Sequence, residues 1–360
     1  MICREEINMR VLEVMGSLHR GGAETMIMNY YRAFDKKICQ MDFVIHSEFE
    51  NDYREEAEKM GARILLMDRP GKIGAREYIK SLTVAIKKNG PYDAIHIHTN
   101  YQAFLAIIAA NKAGIKKIVV HSHTTSFKKH EIFVNRVVMK LYHTVNIACG
   151  VAAGDAFFGK NNYMVLNNAI DVSRFKNVDN ETIQKTKREK YQEKKLIGHL
   201  GSFTSPKNHG FIIECAEELQ KHRKDFKILL FGEGEKKEEI QNAILTRGLT
   251  DIVELCGVTE NPANTYRLFD VFILPSLYEG FPVTLVEAQL SGVYCLASAN
   301  ISKECDLQIG RLEYLELDRI MWANRIDQLL EKIKKYDGEI VIEQFDVNIQ
   351  WRKLYDIYSV

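Results

Sequence analysis

From residue 10 to residue 297, short apolar segments alternate with longer stretches of helical periodicity, interrupted once by a polar region. Such alternation predicts an α/β chain of doubly wound parallel sheets, because each strand must return across a helix before it pairs with the next. One series of strands is expected at 10–15, 41–46, 63–67, 94–98, 117–121, 145–149 and 163–166. Residues 171–195 are charge-rich, and the alternation restarts at 196–200, 227–231, 252–255, 271–274 and 294–297, which marks a second sheet. At 360 residues the chain is long for a single core, so two Rossmann-like domains are expected, 1–168 and 169–345. The last segment, 346–360, carries Trp351, Leu354, Tyr355 and Tyr358 at helical spacing, a packing stripe able to fold back on the first domain. Parallel sheets bind ligands beyond the carboxyl ends of their strands, so the expected site is a cleft faced by both domains.

Composition narrows the function classes. With 46% hydrophobic and 27% charged residues the chain has the composition of an ordinary soluble globular protein. The net charge of +1 is unevenly spread: residues 1–165 hold 23 Lys and Arg against 17 Asp and Glu, and residues 166–360 hold 26 against 31. The basic half suits an anionic membrane or a lipid-linked acceptor, although a merely solvated surface gives the same imbalance. No nucleic-acid partner is expected. Seven cysteines (Cys3, Cys39, Cys149, Cys215, Cys256, Cys295, Cys305) show neither C-x-x-C nor metal-finger spacing, which reads as reduced, mostly buried thiols in a cytoplasmic protein. No signal peptide is expected, and the longest apolar run, 103–110, is far short of the roughly 20 residues of a spanning helix. Any membrane contact is therefore expected to be peripheral.

The most specific string is LPSLYEGFPVTLVEAQLSG at 274–292, in which Glu279 and Glu287 stand eight apart and Gly280, Phe281, Pro282 and Val283 follow the first. Pro282 fits the first position of a helix, where its missing N–H costs nothing, and the amides at that helix start can face an anion. Glu279 lies in the preceding loop and Glu287 about one and a half turns into the helix. Two carboxylates so placed can accept hydrogen bonds from different parts of one polyhydroxylated, phosphate-bearing ligand. A nucleotide sugar has that chemistry. A surface position on the helix would also explain Glu287.

Other strings are weaker singly. Gly21 and Gly22, in GSLHRGGAE, lie at a helix start, but the spacing is not that of a dinucleotide fingerprint and a simple cap explains them as well. His121 and His123, in IVVHSHTTS, fall on one side of a strand end, where a histidine can donate to developing negative charge or to a sugar hydroxyl, or be a hydrogen-bonded core imidazole. His96 and His98 are assigned to another strand without an acidic partner, so no metal site is expected. Gly201 and Lys207, in GSFTSPKNHG, end a strand and follow it with a compact cation suited to a pyrophosphate, or with a solvated lysine. Gly232 and Gly234 allow a tight turn before a helix whose acidic first turn suits its dipole, with backbone contacts to a ligand. All fall at carboxyl ends of strands, as a shared cleft requires.

Taken together, GGAE, HSHTTS, NNAIDVSRF, GSFTSPKNH, GEGE and EGFPVTLVE resemble the retaining glycosyltransferases of the GT-B fold, the E-x7-E family of the family 4 type, over nearly the whole chain. That family includes sucrose-phosphate synthases; HSHTTS and SPKNHG are most similar to its bacterial exopolysaccharide and capsule transferases. The resemblance implies that Glu279 binds donor-sugar hydroxyls, that amides near Gly280, Phe281, Pro282 and Val283 approach sugar and diphosphate, and that Glu287 holds the ribose. It implies Lys207 on the pyrophosphate, His123 rather than His121 beside the reacting centre, and Gly21, Gly22, Gly201, Ser202, Gly232, Gly234, Gly257 and Val258 around the donor. Two positions depart from the family. Ser202 stands where arginine is common, so helix amides with Lys207, or Arg20 from the other domain, must serve the diphosphate. NNAID replaces a linker that often holds proline and glycine.

The implied reaction moves a hexosyl unit, with retention, from a nucleoside diphosphate sugar, a UDP-sugar foremost, to a hydroxyl of a glycan or polyprenyl-diphosphate-linked acceptor. It needs no cofactor, and no D-x-D metal signature occurs in the chain. Front-face attack with the donor phosphate taking the proton is the expected route; double displacement is the other. Acceptor choice is expected in loops 69–76 and 124–130. The place implied is the cytoplasm, at the inner face of the membrane. Two other classes share the fold, a non-catalytic partner in polysaccharide assembly and a nucleotide-sugar epimerase; requirement for an acceptor separates all three.

Overall fold

The computed structural model describes residues 9–50, 52–99, 102–176, 178–332, 336, 338 and 340–359. Cys3 lies outside them. The chain divides into two compact units, Met1–Ile170 with Glu343–Val360, and Asp171–Ile342.

The first unit holds a parallel sheet of seven strands: β1 (Met9–Val14), β2 (Cys39–Ile45), β3 (Ile64–Leu66), β4 (Ala94–Ile97), β5 (Lys117–Ser122), β6 (Val145–Ala148) and β7 (Met164–Val165), in the order β3-β2-β1-β4-β5-β6-β7. Strands covered on both faces lose the alternation of a half-wet sheet, and β2 is buried at all seven positions. The apolar run near residue 103 forms the core helix Ala103–Ala113. The helix Val347–Ser359 closes this unit: Leu354 and Tyr358 are buried, Trp351 packs edge-on against Phe34 at 5.7 Å, and the Val347 N–H donates to the Ile170 carbonyl at 2.9 Å.

The second unit holds six parallel strands, β8 (Lys195–Leu200), β9 (Phe226–Phe231), β10 (Val253–Gly257), β11 (Val271–Leu274), β12 (Tyr294–Ser298) and β13 (Leu312–Leu315), in the order β10-β9-β8-β11-β12-β13. Sequence periodicity anticipates five of these. The sixth, β13, is an edge strand with all four residues only partly buried, so it lacks the apolar signal of its neighbours. In both units the crossover from the third strand to the fourth, β3 to β4 and β10 to β11, reverses the winding direction, and ligands of such sheets bind outside the strand ends at that switch. The switch falls between β1 and β4 in one unit and between β8 and β11 in the other.

Candidate functional site

At the second switch, the loops after β8 and β11 are stitched together. The Leu277 N–H donates to the Pro206 carbonyl at 2.8 Å, and Asn208, left-handed at φ +56°, donates from Nδ2 to the Pro275 carbonyl at 3.2 Å. This brings Lys207 Nζ to 2.6 Å from Glu279 Oε1, which also accepts from Ser276 Oγ at 2.7 Å. The pair is mostly shielded, with side-chain exposures of 18% and 12%. Gly201 leaves room for the lysine stem: a Cβ there would lie 3.3 Å from Lys207 Cδ. Beneath it, His199 and His209 meet edge to face at 4.8 Å, and burial together with the Lys207 charge pushes His209 down to about 4. A neutral imidazole next to the ammonium avoids like-charge repulsion.

The neighbouring loops are equally tight. The Gly201 N–H donates to the Phe231 carbonyl at 3.0 Å and the Gly232 N–H to the Gly257 carbonyl at 2.9 Å. A Cβ on Gly232 would stand 2.0 Å from the Gly201 oxygen, and one on Gly234 2.6 Å from that of Phe203, so these glycines are demanded by loop-to-loop approach. Gly257 is left-handed at φ +70°, and Val258 beside it is exposed. Ser202 is exposed and faces Thr204, hydroxyl to hydroxyl at 3.4 Å.

The helix of the E-x7-E string spans Val283–Leu290. Pro282 is its cap and not its first residue, because its ψ of 86° is not helical and the Val283 N–H turns back to the Phe281 carbonyl at 3.0 Å. Glu287 accepts from the Tyr266 hydroxyl at 2.8 Å. Desolvation raises its carboxyl to about 7 against the opposing pull of that hydrogen bond and of Arg174. Sequence reasoning missed Tyr266, Ser276, His199 and His209. Ser276 and His209 lie inside strings already singled out; Tyr266, 21 positions before Glu287, carries no local signal.

The first switch is a cluster of imidazoles around one carboxylate, Glu13 of β1, and this corrects the expectation that His96 and His98 lack an acidic partner. Parallel pairing of β1 with β4 sets Glu13 opposite His96. Glu13 accepts from His98 Nε2 at 2.8 Å and from the Tyr358 hydroxyl at 3.0 Å, while His96 Nδ1 lies 2.7 Å from that hydroxyl. The terminal helix thus supplies a polar atom as well as packing. Burial works to raise the Glu13 carboxyl, but the charge and hydrogen bonds of His96 and His98 outweigh it and hold it at about 2.

His121 and His123 share a side as strand alternation requires, their rings 4.0 Å apart. His123 Nε2 lies 2.8 Å from His98 Nδ1. Proton positions follow by elimination. An ionised Glu13 only accepts, so His98 Nε2 carries the hydrogen; burial and the charge of His96 hold His98 down to about 4, so its Nδ1 is a lone pair; His123 must then donate from Nε2. Burial and the neighbouring imidazoles push His123 well below the usual histidine range, leaving its Nδ1 as an acceptor. In that tautomer the ring N–H of His123 faces His98. Ligand-capable atoms of His96, His98 and His121 lie within 4.8 Å of one another, yet both nitrogens of His98 are engaged. The rings of His96 and His121 lie 5.3 Å apart and within 9° of parallel.

Gly21 caps the helix Gly22–Ala33, and a Cβ on it would strike Glu24 Oε2 at 2.5 Å and His19 Nε2 at 2.7 Å. Arg20 stacks over the Tyr53 ring at 5.0 Å. Residues 69–76, read as a loop, are largely helical: Pro70–Ile73 forms a turn started by Pro70, and Ala75–Asn89 follows Gly74. Residues 124–128 are irregular, and Lys128 caps the helix Lys129–Leu141. Of the described cysteines, Cys39, Cys149, Cys215, Cys295 and Cys305 are buried free thiols and Cys256 is partly buried.

The sequence family described as glycosyl transferases group 1 matches residues 180–336, and that described as glycosyltransferase family 4 matches residues 20–153. EpsF of Bacillus subtilis (strain 168), itself provisionally assigned as a glycosyltransferase, is 35% identical over 332 residues, covering 88% of this chain and 86% of its own. The chain belongs to the glycosyltransferases of this family. A capsular polysaccharide biosynthesis glycosyltransferase of Staphylococcus aureus, CapH, is 25% identical to this transferase over 97% of the chain and 98% of its own length. Among solved structures, Anabaena HepE in complex with UDP and glucose superposes with a TM-score of 0.80 at 17% identity, covering 98% of this chain and 100% of that one. A glycosyltransferase of Rickettsia africae gives 0.77 at 20% identity, covering 98% of each. The fold of the transferase is GT-B.

Proposed function

We propose that this glycosyltransferase moves a hexosyl unit, with retention and without a metal ion, from a UDP-sugar to a hydroxyl of a glycan or polyprenyl-diphosphate-linked acceptor in cell-surface polysaccharide synthesis. The observation that carries the reading is the contact between Lys207 and Glu279 at the β8/β11 switch, a cation and a carboxylate held by opposite loops. Lys207 turns to the donor diphosphate, Glu279 takes hydroxyls of the sugar, and Glu287 takes the ribose. In the transfer, the bond from the anomeric carbon to the diphosphate oxygen breaks and a bond to the acceptor oxygen forms on the same face. The acceptor proton passes to the departing phosphate, whose charge Lys207 and backbone amides stabilise. His123 borders the donor sugar as a hydrogen-bond acceptor.

Residues 169–345 serve the donor and residues 1–168 the acceptor, with 346–360 completing the latter. Relatives support the acceptor class: an Escherichia coli enzyme named UDP-Gal:alpha-D-GlcNAc-diphosphoundecaprenol alpha-1,3-galactosyltransferase is 25% identical over 78% of this chain and 79% of its own. No helix among the described residues is long and apolar enough to cross a membrane, and we place the enzyme in the cytoplasm, in peripheral contact with the inner leaflet. The test is nucleoside diphosphate release from UDP-sugars with added acceptor, with EDTA and with Glu279→Ala and Lys207→Ala. Full activity of both variants would sink the assignment of the site, loss with EDTA that added metal restores would sink the metal-free mechanism, and turnover without acceptor would sink transfer.

A further inference from the structure

The helix Lys129–Leu141 in the first unit covers little of the structure beneath it: only Asn135 and Met139 are buried. The helix Ala103–Ala113, which precedes β5, buries six residues in a shorter span. The difference is an apolar face left in solvent. Phe133 is 71% exposed, Leu141 67%, Val137 52% and Val134 40%. Positions 133, 137 and 141 recur every four residues and 134 lies beside 137 and 141, so the four side chains form one stripe opposite Asn135 and Met139.

One edge of that stripe is cationic. Lys129, Arg136 and Lys140 are exposed and recur seven and four residues apart, on the flank next to Phe133; Arg136 donates from Nε to the Phe157 carbonyl at 2.8 Å, which leaves the two lysines as the outward cations. The sole acid of the helix, Glu131, folds back to accept the Lys128 N–H at 3.1 Å and so points away from the flank. From 101 to 150 the chain holds seven Lys and Arg, and Glu131 is the only acid. Isolated apolar residues on a surface are ordinary. Four in a stripe along a cationic edge are the pattern of a helix that lies in a membrane interface.

We propose that the helix Lys129–Leu141 lies flat in the headgroup region of an anionic bilayer, with Phe133, Val134, Val137 and Leu141 among the upper acyl carbons and Lys129 and Lys140 against lipid phosphates. Only a surface combining negative charge with accessible apolar depth satisfies both halves of this face, and an anionic leaflet combines them. The helix follows His123 by a five-residue segment, 124–128, so docking it brings a membrane-held acceptor to the same end of the sheet as the imidazole cluster. The purpose of the surface rests on the lipid-linked acceptor proposed above, but binding is read without donor or acceptor.

The full chain is sedimented with vesicles of phosphatidylglycerol and phosphatidylcholine, and with phosphatidylcholine alone. Wild type is expected to partition to the anionic vesicles and to be released as salt is raised. Phe133→Ser with Leu141→Ser, and separately Lys129→Glu with Lys140→Glu, should each lower the partition coefficient at least tenfold while keeping unchanged unfolding midpoints. Phe133→Trp should show a blue shift of its emission on addition of anionic vesicles. Wild type that ignores both vesicle types, or variants that bind as wild type does, would overturn the inference. A wild-type dimer that both double variants convert to monomer would overturn it in favour of a second copy. Acceptor-dependent release of nucleoside diphosphate in any of these cases leaves the transferase reading standing.

Discussion

At the carboxyl ends of its strands the first unit gathers His96, His98, His121 and His123 around one ionised carboxylate, Glu13, whereas the second, with its first six strands in the same order, sets one ammonium, Lys207, against Glu279. Glu13 is fully buried and its partners come from β4, the residue after it and the terminal helix. Glu279 sits in a loop, and its cation is held by a second loop. The difference teaches that topology sets where a site falls and not what it does. A buried carboxylate whose donors come from its own unit organises that unit, while a pair that is still partly open to solvent can exchange one partner for a ligand.

Substitutions break the comparison in opposite directions. Lys207→Ala should lower transfer by about 10²–10³-fold, the loss typical of one transition-state donor, and leave the unfolding midpoint nearly unchanged. Lys207→Arg should recover only part, since a planar guanidinium does not replace a compact ammonium. Glu13→Ala should do the reverse on stability, costing about 3 kcal/mol by urea unfolding because two buried donors, His98 Nε2 and the Tyr358 hydroxyl, lose their acceptor. Glu279→Ala should cost less, about 1 kcal/mol, because the Lys207 ammonium keeps some access to water when its partner is removed. If the two carboxylates cost the same, the contrast between closed and open clusters fails.

Gly232→Ala should destabilise the second unit by about 2 kcal/mol and weaken UDP binding by calorimetry, since its Cβ has no room beside the Gly201 carbonyl. Gly210→Ala, with open space around its Cβ, is the control.

The smallest effects are in pH. Glu287 is raised from an ordinary carboxyl value to about 7, so between about 4.5 and 7 the native state holds a proton that the unfolded state has lost, and its contribution to stability falls as pH rises through that window. Ionised Glu287 is the better acceptor for ribose hydroxyls, so donor affinity should rise roughly fivefold to tenfold from pH 6 to 8. Glu287→Gln should flatten that rise. In the first unit Glu13 has the opposite sign: held at about 2, it contributes stability above about 4.5 that is lost as pH falls toward 2. His98, held at about 4, likewise withdraws stability as pH falls from about 6.5.

Much of the fold was legible because strands buried on both faces announce themselves as apolar runs between helical periods. All seven strands of the first sheet and five of the second could be placed this way; β13, at an edge, could not. The site was legible where its parts are contiguous, as in Glu279 with Gly280 and Phe281 or Lys207 within SPKNH. It was illegible where partners come from afar. Glu13 meets His98 across 85 positions and Tyr358 across 345, and Glu287 meets Tyr266 across 21.

Local order in the chain therefore decided the element types, the two sheets and the strand ends at which chemistry collects, because periodicity and turn residues act over a few positions. Tertiary structure decided the protonation of that chemistry. Which nitrogen of His123 bears the hydrogen, whether Glu287 is charged and whether Lys207 has a carboxylate within reach depend on desolvation and on partners that only the packed sheets bring together.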